Sequence, residues 1–212
     1  MEIDPHAIAP AALNRIITGT VVPRPIAWVS TIDKSGKQNL APFSFFNAVC
    51  YNPPTLLFCP GVRATDMGRK DTYYNIQATK EFVINIVTEE LAEAMNVTAT
   101  ELAPEVNEFE MAGLTAAPST RVRPPRVAES PVNFECTLNQ IVDIGDGNPG
   151  SGWVVIGNVV HVHVADEVLL PDYKINIQAL KPIGRLAGFK YARVNDIFEI
   201  KRLPSQLAVK EK

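Results

Sequence analysis

The sequence predicts a mainly β chain, an antiparallel barrel with short helices packed outside it. Three observations carry that expectation. The stretch 132–143 has period two, with Val132, Phe134, Cys136, Leu138, Gln140 and Val142 on one side and Asn133, Glu135, Thr137, Asn139, Ile141 and Asp143 on the other, so one side is largely dry and one mostly polar. A second long strand, 153–164, follows it after a polar connection, and Asp33-Lys34-Ser35-Gly36 separates two further β-rich stretches as a hairpin turn. The helical signals are few and short, unlike the alternating strands and helices of a doubly wound sheet.

Taken in chain order, residues 10–18 read as a helix, with Pro10 at a first-turn position, Leu13, Ile16 and Ile17 sharing a face, and Gly19 as the stop. A strand over 26–32 precedes the hairpin turn. Residues 39–51 form one continuous second strand, ended at Asn52-Pro53-Pro54 because proline cannot donate to a ladder. Residues 55–59 are a third strand. Asp71 or Thr72 caps a helix running to about Lys80, since either side chain can accept from a free N–H group of the first turn. Residues 82–87 have almost no polar interruption and are expected to be buried on both faces. Thr88 caps another short helix containing Leu91 and Met95, 98–130 is irregular with a helical piece over 104–111, 146–152 is a polar link, and 198–201 adds a final short strand.

Bulk properties bound the function. The 212 residues are 46% hydrophobic and 20% charged, an ordinary globular balance that supports one core without staples. One domain over 10–203 is expected, with 1–9 and 204–212 as terminal extensions. Net charge is -3, with 20 basic and 23 acidic residues and no run of either sign, which argues against nucleic acid as a partner. Cys50, Cys59 and Cys136 are widely spaced and odd in number, so free and mostly buried thiols in a reducing compartment are expected. Glu2 and Asp4 lie in a leader without an apolar core, and no apolar stretch approaches the ~20 residues that span a bilayer. The expectation is a cytoplasmic protein without a membrane partner.

Four segments can carry chemistry. Arg69-Lys70-Asp71-Thr72 places two cations and two short polar groups at a helix start, where free N–H groups and the helix dipole favour a phosphate; a solvated cap is the equal alternative. Ala41-Pro42-Phe43-Ser44-Phe45-Phe46-Asn47 embeds polar groups among aromatics, as in a pocket for a flat ring, or is simply a core strand. His161 and His163 share one strand face opposite valines. Two histidines at that spacing can begin a metal site, but no third ligand of recognisable spacing accompanies them, and a groove-lining or exposed pair is preferred, with no metal expected. In Pro23-Arg24-Pro25 the prolines hold Arg24 extended, to meet an anion or to rest on the surface. No nucleophile elbow, P-loop, dinucleotide-binding glycine pattern or zinc-protease motif is present.

The ordered set P-R-P-I-A-W-V-S-T, N-L-A-P-F-S-F-F-N, N-P-P, R-K-D-T with N-I, E-F-V-I-N, E-S-P-V-N-F-E-C, V-V-H-V-H-V-A-D-E-V and P-I-G-R-L-A-G with a following Y resembles the flavin reductase-like FMN-binding proteins over residues 10–192. That resemblance implies an antiparallel Greek-key split β-barrel with short peripheral helices, non-covalent FMN, NADH or NADPH as co-substrate, and a homodimer with flavin near the interface. Electrons then pass to free flavin, a flavin-dependent oxygenase or another acceptor. Members are NAD(P)H-dependent reductases or FMN-bearing electron carriers; a non-enzymatic β-barrel binder and, less favoured by A-P-F-S-F-F-N, a flavin-dependent oxidase of a pyridoxamine-phosphate type on a related barrel are the alternatives. By the resemblance, Ser44, Phe45, Phe46 and Asn47 contact the isoalloxazine and ribityl chain, and Thr65, Lys70, Asp71 and Thr72 surround the phosphate. His163, Arg185 and Tyr191 border the flavin or nicotinamide, with Arg24 and Trp28 as further neighbours. Backbone amides of 43–48 are expected to face the flavin N1–O2 edge. Ala187-Gly188 stands where the family has a glycine pair, and the link at 145–152 is long, so access to the flavin face can differ.

Overall fold

The computed structural model describes residues 1–63, 65–103 and 106–204. Its helices are α1 (Pro10–Thr20), α2 (Asp71–Thr79), α3 (Ala92–Val97), α4 (Glu108–Met111) and α5 (Ile177–Leu180). The strands are β1 (Ala27–Ile32), β2 (Gln38–Phe43), β3 (Phe46–Tyr51), β4 (Pro54–Phe58), β5 (Glu81–Ile86), β6 (Ala116–Ala117), β7 (Arg126–Val127), β8 (Val132–Ile144), β9 (Gly152–Val164), β10 (Leu169–Leu170), β11 (Lys174–Ile175), β12 (Ile183–Arg185) and β13 (Tyr191–Arg193). Seven of them make one antiparallel sheet in the order β2-β1-β5-β8-β9-β4-β3.

This order closes the barrel. β2 and β3 lie at opposite edges of the sheet, yet only Ser44 and Phe45 separate them. Two residues let the flanking Cα atoms stand at most ~11 Å apart. The sheet must therefore roll until the end of β2 meets the start of β3, and a bond from Cys59 N to Phe45 O (2.8 Å) extends the β3–β4 pairing back to that seam. The single strand expected over 39–51 is thus two strands. The bend at Ser44–Phe45 lets the chain leave one edge and enter the other.

Side-chain alternation on β1 divides the core. Ala27 and Val29 point into the barrel with Phe43, Phe58, Phe82, Ile84 and Val155. Trp28 points outward, where Leu40, Val87, Met95, Phe109 and Val127 complete a second cluster beneath α3 and α4. β1 is consequently buried along its whole length, and β5 nearly so, as expected for 82–87. Gly157 permits the close approach of β9 to this core. A Cβ there would stand 2.3 Å from Phe82 Cζ.

Local expectations differ at several ends. α1 runs through Gly19 to Thr20, because Arg24 reaches back to bind the carbonyls of Thr18 and Val21 and so closes the helix. Neither Asp71 nor Thr72 caps α2. Lys70 is the N-cap without a side-chain bond, and Thr72 instead holds Asn39. Thr88 bridges Pro182 rather than capping, and the helix starts at Ala92. The helical piece of 104–111 is α4, capped by Asn107 through Phe109 N; Pro104 and Glu105 lie outside the described residues. No strand forms over 198–201, while β12 and β13 pair as a hairpin that the sequence reading passed over. The polar side of β8 is dry at its start, since Asn133 and Glu135 are fully buried. Cys136 is buried, but Cys50 is exposed against expectation. No helix among the described residues is long and apolar enough to cross a membrane.

Candidate functional site

A buried polar network sets the start of α2. Thr31 Oγ1 on β1 accepts from Asn75 Nδ2 (3.0 Å) and, at 3.4 Å, from Asn39 Nδ2, which also donates to Thr72 Oγ1 (3.1 Å). These bonds tie the first turn of α2 to β1 and β2 at a depth where unpaired amides would be costly. Lys70, Asp71 and Thr72 are thereby brought to one cleft, opposite Ala41 and Pro42 at the end of β2. Thr98, Ala99, Leu102 and Glu108 line its remaining wall.

Charge in this cleft is uneven. Arg63 is engaged by Asp66 (2.7 Å) and lies 3.8 Å from Asp71. Asp66 also accepts from Gly68 N (2.8 Å), and that bond together with the Arg63 guanidinium holds its carboxyl below the usual range. Arg69 stacks on Tyr73 and Trp153, its guanidinium carbon 4.6 and 4.9 Å from the ring centroids. Lys70 has no ion pair among the described residues. Lys70 thus stands beside the Thr72 hydroxyl and the N-terminus of a nine-residue helix, where the helix dipole favours negative charge. Glu108 lies on the far wall and accepts from Leu40 N (3.3 Å); burial above all pushes its carboxyl up, and Asp71 adds to this.

A second cavity of about 530 Å³ adjoins the first and shares Pro42 and Ala99 with it. Ser44, at the barrel seam, faces Arg185 and Tyr191 of the β12–β13 hairpin there, with Asn96 and Glu93 of α3. Arg185 stacks on Tyr191 at 4.5 Å, donates to its hydroxyl, and donates to Gly188 O (2.5 Å). Neither cavity is lined by a cysteine or a histidine among the described residues. The two adjoining cavities together form one elongated cleft, with charged groups at the α2 end and the Arg185–Tyr191 pair at the other.

Residues 18–181 match the family model for a flavin reductase like domain. The chain belongs to the flavin reductase-like family. This flavin reductase-like chain is similar in structure to nitrilotriacetate monooxygenase component B from Bacillus cereus, with 36% identity, a TM-score of 0.89, and 94% of this chain and 98% of that one covered. It is also similar to 2-nitrobenzoate 2-nitroreductase from Pseudomonas fluorescens, with 30% identity, a TM-score of 0.85, and 97% and 100% covered. For the fold alone, a Shewanella frigidimarina protein described as a flavin reductase with a split barrel domain superposes with a TM-score of 0.80 at 22% identity, covering 96% and 100%. The rolled sheet is that split β-barrel, with its helices outside.

Within this family frame, the residues carried over by resemblance separate. Lys70, Asp71 and Thr72 meet in the first cavity, and Ser44, Arg185 and Tyr191 in the second. Thr65 is at the rim, where its hydroxyl donates to Glu101 Oε2 (2.7 Å). Phe45 and Asn47 are exposed and line neither cavity, and Phe46 packs against the barrel core, because the bend reverses the alternation assumed for a straight strand. Trp28 is fully buried and cannot touch a ligand; its indole N–H donates to Thr98 Oγ1 (2.8 Å), so it braces the cleft wall from behind. Arg24 meets no carboxylate among the described residues. Its guanidinium donates to the carbonyls of Thr18, Val21 and Leu186 and fastens α1 to the hairpin. Burial, with Arg185 nearby, lowers its pKa. His163 lines neither cavity but lies on β9 against Glu135, so a place beside the ring would require a second subunit. Thr98, Glu101 and Glu108 escaped the sequence reading; they come from the irregular 98–111 stretch, whose approach to β2 leaves no local signal.

Proposed function

We propose that the chain is an FMN-binding oxidoreductase that accepts hydride from NADH or NADPH and passes electrons to free flavin or another acceptor. One observation carries this reading. Lys70, without an ion pair among the described residues, lies at the tip of α2 in a cleft that continues, past Pro42, into a cavity bounded by Ser44, Arg185 and Tyr191. The residues present fit the group. Lys70 and the Thr72 hydroxyl would hold the phosphate, and Ala41, Pro42 and Ala99 would flank the ring. Asp71 is assigned to Arg63, 3.8 Å away, since a carboxylate repels a phosphate dianion.

Bound flavin would supply the hydride-accepting atom itself, so the cavities need no cysteine or histidine of their own, and none lines them among the described residues. The chain's own work is positioning. Ser44 and Phe45 belong to neither the β1–β2 nor the β3–β4 ladder, and their N–H groups are assigned to the O2 edge of the ring, where negative charge grows on reduction. Arg185, held over Tyr191, borders the nicotinamide side and narrows the cavity to water. A homodimer in the cytoplasm completes the proposal.

The test is an absorption spectrum of purified protein, taken before and after anaerobic addition of NADH and then NADPH. Oxidised-flavin bands that bleach with either nucleotide support the reading. Colourless protein that does not take up added FMN overturns it. Flavin that binds but stays oxidised leaves an electron carrier in place of a reductase.

A further inference from the structure

The geometry points to a binding site for a divalent transition-metal ion, with zinc as its reference occupant, formed by Glu135, His161 and His163 outside the flavin cleft. The two histidines lie two residues apart on β9 and so share a face. The β8–β9 register sets Glu135 directly opposite His161 and diagonally across from His163 on the same face. Their ligand atoms lie within 4.8 Å of one another. The His161 and His163 rings are 4.7 Å apart between centroids.

Two imidazoles and one carboxylate are the donor set of open, three-ligand zinc sites, whose fourth position is left to water. The carboxylate is held in advance. Glu135 is fully buried, and it accepts N–H bonds from Thr120 (2.7 Å), Arg121 (2.5 Å) and Val122 (3.2 Å) while Oε1 meets His163 Nε2 at 2.5 Å. Outer hydrogen bonds of this kind fix a ligand's orientation before the ion arrives. Both histidines are only half-buried, so an ion can reach them. The groove beside His163 carries Glu129 and Glu167 against one cation, Arg126.

The ion takes the place of the hydrogen in the Glu135–His163 contact. Metal–ligand bonds of ~2.0–2.1 Å need only a small opening of that pair and an inward turn of His161. The displaced proton goes to solvent when the imidazole is cationic and to Nδ1 when it is neutral. The bound ion would then join β9, β8 and the 120–122 segment.

The experiment uses the full chain, purified without a histidine tag and stripped with a chelator, with Zn2+ added in a calorimeter and followed by thermal melting. The expected result is saturable binding of one ion per chain and a raised melting temperature. His161→Ala and His163→Ala should each weaken binding at least tenfold. His6→Ala and Cys50→Ser, which remove the remaining histidine and the exposed thiol, should leave it unchanged. No saturable binding, binding that His161→Ala leaves intact, or binding lost with Cys50→Ser overturns the site. None of these outcomes depends on whether flavin is bound, so the proposal and the FMN reading fail separately.

Discussion

Lys70 stands at the N-cap of α2 with no ion pair among the described residues, and removing it leaves the barrel core untouched. Lys70→Ala should therefore weaken FMN by ~1–3 kcal/mol, the range of a charge-assisted hydrogen bond, with melting temperature little changed. Fluorescence titration of the apoprotein measures this, and equal affinity in variant and parent would detach Lys70 from the phosphate. Glu108 behaves differently. Burial raises its carboxyl pKa in the fold, so the folded chain holds that proton more tightly than the unfolded chain. Its stabilising contribution is present below the unfolded pKa and is lost as pH rises through the folded pKa. Glu108→Gln should raise the melting temperature at neutral pH and lose that advantage in acid; melts at both pH values decide it. Lys70 was visible in sequence because its neighbours in chain are its neighbours in space. Glu108 was not, because its cleft is assembled by α4 folding onto β2.

At the scale of elements, β8 and β9 show what alternation can and cannot reveal. The strands themselves were legible, since period two is local. The burial of Asn133 and Glu135 was not, because it depends on the 118–127 segment crossing the polar face. Inside that cover Glu135 pulls against burial. Desolvation opposes its charge, but the bond from His163 and the N–H groups of Thr120 and Arg121 outweigh it and hold the carboxyl below its usual range. Its contribution is present above the unfolded pKa and lost as pH falls through the folded pKa. Glu135→Gln should cost about 3 kcal/mol at neutral pH, as when one partner of a buried pair is removed. It should also flatten the acid limb of stability, which urea unfolding at several pH values will show. On the facing strand, Gly157→Ala drives a methyl into Phe82 and should cost ~1–3 kcal/mol by the same assay, with cavity residues unaffected. The divided strand at 44–45 carries neither proline nor glycine, so nothing local marks it.

The whole molecule leaves large apolar side chains in water when taken as one chain. Tyr51, Phe189, Phe198 and Ile200 are 94%, 98%, 80% and 83% exposed. Contiguous apolar exposure marks surfaces that meet another protein, and the proposed dimer would cover these side chains. The proposed homodimer predicts a sedimentation mass twice that of the chain. Tyr51→Glu should shift it toward the monomer without altering the far-ultraviolet spectrum. A parent protein that sediments as a monomer at micromolar concentration would sink the dimer. The single rolled sheet was readable from strand spacing, whereas its strand order was not, because pairing partners are chosen by the return of β9 to β4 across nearly a hundred residues.

The two-residue seam at Ser44–Phe45 acts as a clasp. A molecule lodged against Pro42 and Ser44 braces the joint between the two lips from the β2 side, and its affinity becomes resistance to springing apart. At a hundredfold excess over Kd that resistance amounts to about 2.7 kcal/mol. Amide protons on the two lips, 38–43 and 46–51, should then exchange more slowly in concert when FMN is supplied. Slowing confined to one lip would show that the ligand grips a single edge and that the clasp closes without it.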